Sequence, residues 1–229
     1  AWVQGMQIYC AGKTNEKTLQ LLNAHLGQWP LTKERVDLKI PQPSNPQGER
    51  IRVEKNGALQ SSIIVGGILP SIKHPDYPAL KLSSMALGGY FGSRLMKNIR
   101  EDKGYTYGIN CSIKSQEEWS VLSISTEVGK EHAEDTLKEI FNEFNRWLEA
   151  GFEPGELQKV RNYMLGSLLT ISDGVLNQMD LYRTLIRKGL PLNYYVNYIE
   201  QIKSFNEAEL LEVSRKHWSP SQWLQVVAG

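Results

Sequence analysis

This chain of 229 residues is poor in the features that usually announce a chemistry. It has two cysteines, Cys10 and Cys111, and neither sits in a C-x-x-C pair, so no redox or metal signature comes from thiols. The spacing leaves open whether the two pair, and small buried apolar residues are the simpler reading. Its longest apolar run, "IIVGGIL" at residues 63–69, is far short of the about 20 residues that cross a bilayer. A net charge of +1 without a basic block excludes the Lys/Arg footprint of nucleic-acid binding. The four histidines are His25, His74, His132 and His217, and no two are four residues apart. Neither H-E-x-x-H nor H-x-x-E-H occurs, so the chain lacks the paired imidazoles and adjacent glutamate that let a zinc hydrolase activate water. There is no G-x-S-x-G elbow, and the glycines of "GGYFGS" lack a following G-K-[ST]. In "EHAED" a single histidine stands among carboxylates, which is the pattern of a solvated first helical turn.

What is present is an ordinary soluble, globular composition, 41% hydrophobic and 22% charged, with ample material for a core. The chain opens "AWVQGMQIYC", without an initiator Met and without a visible signal peptide. It is expected to be a segment of a longer protein, and residues 1–229 to be one domain.

The first half patterns mainly as strands. Residues 3–11 read as a strand, followed by a helix capped at Thr14 or Asn15 with Leu19, Leu22 and Leu26 on its apolar side. A proline-rich extended connection follows. Residues 51–55 and 61–69 are β-like, split by the turn signal Asn56-Gly57. After "HPDYP" a helix is predicted over 79–87, broken or bent by Gly88, Gly89 and Gly92, a group best explained by close packing. Its apolar face resumes at Leu95, Met96 and Ile99 and ends in the charged "REDKG". Residues 105–113 and 119–128 predict a hairpin.

The second half is helical. Ala133, Leu137, Ile140, Phe141, Phe144, Trp147 and Leu148 fall at spacings of three and four and form one core stripe ended by Gly151. Helices are predicted over 153–169, 174–188, 192–202 and 206–217, and a closing strand over 221–229. The fold class is therefore α+β, a mainly antiparallel sheet covered on one face by helices.

One segment remains to be explained. "GSRLMKNIREDKGYTYGINCSI" sets Arg100 at a charged helix end and Tyr107 seven residues later, past a glycine. This segment resembles the Arg/Tyr motif of the insulinase/pitrilysin-type zinc peptidases, the inverzincins, through Ser93-Arg94-Leu95, Arg100, Gly104 and Tyr107 in order and spacing. The opening strand and helix ending in "GQWP" and the closing "SPSQWLQVVAG" are similar to the two ends of that family's zinc-free type of domain.

The resemblance implies a zinc metalloendopeptidase built of two facing halves. Zinc would be held by an H-x-x-E-H domain elsewhere in the protein or in a partner subunit, with none in this chain. Peptide substrate would lie between the halves, added in extended form to a sheet edge. Tyr107 would donate its hydroxyl to the oxygen developing on the scissile carbonyl, and Arg100 would hold a substrate carbonyl. Alone the chain would be inactive. Relatives of the family that have lost catalysis imply an alternative, an inactive scaffold or peptide-binding module. Tyr105, two residues before Tyr107 on the expected strand, would share its face, but Tyr107 carries the family's spacing. Substrate, compartment and oligomeric state are not encoded in any feature of the sequence.

Overall fold

The computed structural model describes residues 7–29, 43–44, 47–116 and 118–229. These fall into two compact units. One takes in Ala1–Gln42 and Leu168–Leu192, and the other Pro43–Ser167 and Asn193–Gly229.

In the smaller unit, α1 (Glu16–Leu26) starts at a reciprocal cap: the Asn15 side chain accepts from the Thr18 N–H while the Thr18 hydroxyl accepts from the Asn15 N–H. The strand predicted over 3–11 falls mostly outside the described residues, and residues 7–11 form no strand. The edge of the Tyr9 ring meets Tyr182, with ring centroids 6.3 Å apart.

The larger unit is built on a five-stranded sheet in the order β1 (Arg50–Val53), β5 (Leu224–Ala228), β2 (Gln60–Pro70), β4 (Trp119–Gly129), β3 (Ile109–Ser115). All neighbours are antiparallel except β1 and β5, which run parallel. The Asn56-Gly57 turn is present, with the Ala58 N–H donating to the Lys55 carbonyl, yet β1 and β2 are not hairpin partners. The closing strand, itself expected from the sequence, lies between them and bonds to both, a pairing that no local signal carries.

Along β2, Ser61, Ile63, Val65, Gly67 and Leu69 are buried, whereas Gln60, Ser62 and Ile64 are exposed. One face of the sheet is therefore packed and the other open, and the packed face is covered by helices α2 (Tyr77–Ser84) and α3 (Ala133–Ala150). Most of the predicted stripe of α3 is core: Ala133, Leu137, Ile140, Phe144 and Trp147 are buried, while Phe141 and Leu148 at its margin are only partly so. The edge of Phe144 meets Trp223 at 4.6 Å, and Trp147 meets Phe152 edge-on at 4.6 Å. α4 (Glu156–Ser172), α6 (Tyr194–Ser204) and α7 (Glu207–His217) follow, with α5 (Val175–Lys188) in the smaller unit.

The glycine-rich connection is a widened helix. Met85–Gly89 and Met96–Asp102 wind as π-turns. A Cβ on Gly88 would come 2.5 Å from the Cβ of Cys111 and 2.9 Å from its backbone nitrogen, so only glycine lets this turn lie on β3. Burial of Cys111 pushes its thiol pKa up to about 12, which leaves it an inert packing residue.

Two polar clusters fix the second π-turn. Arg94, 10% exposed at its side chain, donates through Nε to Glu156 at 2.8 Å and through Nη2 to the Gly151 carbonyl at 2.6 Å. Its guanidinium lies 4.9 Å from the centroid of the Trp147 ring. Asn98 donates to Glu139 at 3.0 Å and to the buried Glu143 at 2.7 Å, and Arg146 donates to Glu143 at 2.9 Å.

Arg94→Met is expected to cost about 3 kcal/mol in urea unfolding, because it strands a mostly buried carboxylate and a helix-end carbonyl. Arg94→Lys should recover little of this, since an ammonium lacks the fork that reaches both acceptors. The Asn98 hydrogen bond, opposed by desolvation and aided by Lys103, holds the Glu139 carboxyl below its ordinary value of 4.5. A depressed folded pKa contributes stability that is complete above the unfolded value and lost as pH falls through the lower folded one. Asn98→Ala should therefore shallow the loss of stability below pH 4.5, read as midpoint temperature against pH.

Candidate functional site

The Arg/Tyr segment begins where the second π-turn stops. The Lys103 N–H donates to the Asn98 carbonyl and the Tyr105 N–H to the Ile99 carbonyl, each at 3.0–3.1 Å. Gly104 between them takes φ +66°, the left-handed conformation that ends a helix at least cost when no Cβ is present.

Strand β3 then begins at Ile109, four residues later than the hairpin pattern predicts. Tyr105 and Tyr107 therefore do not share a strand face; they stand on an irregular connection. The reason is Thr106. Its hydroxyl lies 2.7 Å from the Glu127 carbonyl and accepts from the Gly108 N–H at 3.1 Å, while the Thr126 hydroxyl lies 2.9 Å from both the Thr106 hydroxyl and the Gly108 carbonyl. These bonds tie the connection to β4 by side chains in place of a backbone ladder.

The two tyrosines separate. Tyr105 stacks on His132, with centroids 4.2 Å apart and planes 9° from parallel, so it is a packing residue. Tyr107 is 96% exposed. It stands over a groove of about 610 Å³ on the open face of the sheet, bordered by Ser62, Ile64, Ser125 and Glu127. Two cross-strand pairs, Ser62 with Glu127 and Ile64 with Ser125, place these four side chains together. The Ser62 hydroxyl donates to Glu127 at 3.3 Å.

Arg100 is not among the residues bordering this groove. Its guanidinium lies 4.5 Å from the centroid of Phe91 and 3.9 Å from Glu101, and its side chain is one-third exposed. Of the other motif residues, Ser93 and Leu95 are buried and Arg94 is the anchor on Glu156. The groove floor and the Arg94 anchor carry no local motif, because each is assembled by residues distant in sequence.

Among the described residues, no group of metal-ligating side chains borders the groove. Among the described residues, His74, Asp76 and His217 bring ligand atoms within 4.8 Å of one another. None of them borders the groove, and they supply two histidines and an aspartate with no glutamate to activate water. Among the described residues, no helix is long and apolar enough to cross a membrane.

Comparison with known proteins accords with this domain. Residues 4–164 match the family model described as the peptidase M16 inactive domain. The non-peptidase homologue YmxG of Helicobacter pylori is 26% identical over 145 residues, 62% of this chain and 33% of that protein. The crystal structure of a peptidase M16 inactive domain from Pseudomonas fluorescens superposes with TM-score 0.79 at 26% identity, over 87% of this chain and 48% of that one. A protease structure from Helicobacter pylori superposes with TM-score 0.82 at 19% identity, over 96% of this chain and 54% of that one. The chain thus spans about a third of the curated relative and about half of each structural neighbour. With the mixed sheet-and-helix fold and the family match agreeing, the chain belongs to the inactive domains of the M16, or insulinase-type, peptidase family.

Proposed function

We propose that this chain is the catalytically inactive, peptide-holding domain of an M16-type protein, a scaffold that binds an extended peptide and cuts nothing by itself. The observation that carries the reading is Tyr107, a ring 96% exposed on a connection that Thr106 ties down. A phenol so placed contributes almost nothing to folding, and its hydroxyl is available to a backbone carbonyl. The groove beneath it offers hydroxyls, the half-exposed Ile64 and the Glu127 carboxylate, a set suited to an extended segment bearing a basic residue. The likeness to a protein named as a non-peptidase homologue supports the inactive reading over a catalytic one. The family match crosses both compact units, which supports treating residues 1–229 as one zinc-free domain of a longer protein.

A second reading keeps the enzyme. Arg100 and Tyr107 would face an H-x-x-E-H domain elsewhere in the protein or in a partner subunit, which would hold the zinc of a metalloendopeptidase. Tyr107 would then donate to the developing oxyanion and Arg100 would hold a peptide carbonyl. The seven-residue spacing across Gly104 favours it.

The test uses the complete gene product with zinc present, measuring fluorescence anisotropy and cleavage of a labelled Lys-containing peptide together. Binding without cleavage, weakened about tenfold by Tyr107→Ala, is the expected outcome. Cleavage that Tyr107→Phe or Arg100→Ala slows through kcat would establish the second reading instead. Failure to bind or cut any peptide would dispose of both.

A further inference from the structure

The turn before α2 and the end of α7 meet through a cluster that the peptide groove does not use. Asp76 occupies the N-cap position of α2, yet its carboxylate caps no backbone N–H there. It turns to α7 instead. Its Oδ2 lies 2.7 Å from His217 Nε2, 2.8 Å from Lys216 Nζ and 3.9 Å from His74 Nδ1. The His74 and His217 rings meet edge to face with centroids 5.3 Å apart.

We propose that His74, Asp76 and His217 form a binding site for one divalent transition-metal ion of the zinc class, which clamps the start of α2 to the end of α7. Two imidazoles and one carboxylate are a donor set of that class, with water completing a tetrahedron. At zinc–ligand distances of about 2.0–2.1 Å, tetrahedral donors stand about 3.3 Å apart. The separations of 2.7 and 3.9 Å from Asp76 Oδ2 bracket that value and all three ligand atoms lie within 4.8 Å of one another, so side-chain adjustments of up to about 1.5 Å would form the site.

On binding, the ion would take the place of two hydrogen bonds, the Asp76 N–H that His74 Nδ1 accepts at 3.0 Å and the proton held between His217 Nε2 and Asp76 Oδ2 at 2.7 Å, so uptake would release a proton.

Polarity is right as well. Lys216 places an ammonium on the same carboxylate oxygen that the metal would take. Its side chain is 62% exposed, so it can leave for solvent when a metal ion arrives. The three ligand side chains are 35%, 20% and 13% exposed, which leaves an entry path without flooding the site. The role is structural: the ion would add a crosslink between α2 and α7 beyond their packing, and it is separate from any catalytic zinc held elsewhere.

Zinc stoichiometry of the complete gene product, measured by equilibrium dialysis and elemental analysis, decides the matter. The wild type should bind one equivalent more than the double variant His74→Gln/His217→Gln, while a His25→Gln control keeps that equivalent. Taking the difference removes any zinc bound at other sites. Lys216→Met, which leaves both histidines and Asp76 in place, gives an independent reading. Loss of the competing ammonium should tighten this equivalent about tenfold. Equal stoichiometry in wild type and double variant, or an unchanged affinity in folded Lys216→Met, would overturn the site and leave an ion-pair clamp alone.

Discussion

The Arg94 guanidinium joins three pieces of chain that would otherwise drift. It lies against the Trp147 ring of α3, grips Glu156 at the start of α4, and takes the carbonyl of Gly151, where the backbone turns between them at φ +69°. A flat, always-charged fork suits this position, because one group must satisfy a carboxylate and a helix-end carbonyl while stacking on an aromatic face. Everything downstream on the same turn inherits its place from that anchor. Asn98 reaches Glu139 and Glu143 on α3, Ile99 enters the core, and the helix can stop at Gly104 pointing at β4.

Much of this architecture was legible in order and periodicity. The α3 stripe, the two long strands and the closing strand stand close to where alternation and three-four spacing put them, because burial on one face dictates both patterns. The departures share one cause, interactions between residues far apart in sequence. β5 inserts between β1 and β2, so a local turn signal does not make a hairpin. Thr106 bonds to β4 through its hydroxyl, so β3 starts late and the tyrosines part. No window of sequence contains both partners of either contact.

The candidate site divides the same way. The spacing from Arg100 to Tyr107 singled out the exposed phenol, and family membership gives that segment a setting. The groove floor was not legible, since Ser62, Ile64, Ser125 and Glu127 look like ordinary solvent-side strand residues until the register of β2 with β4 pairs them. Arg94, the first basic residue of the same motif, proves to be a nearly buried anchor, a role that its place in the motif does not disclose. A short motif therefore mixes residues that build the domain with residues that the domain displays.

The near-complete exposure of Tyr107 has an evolutionary edge. A side chain that packs against nothing can be replaced without unsettling the fold, whereas Arg94, Gly88 and Thr106 cannot. Substitution at that position is thus cheap in structural terms. What this domain displays at position 107 can therefore change while its architecture stays the same.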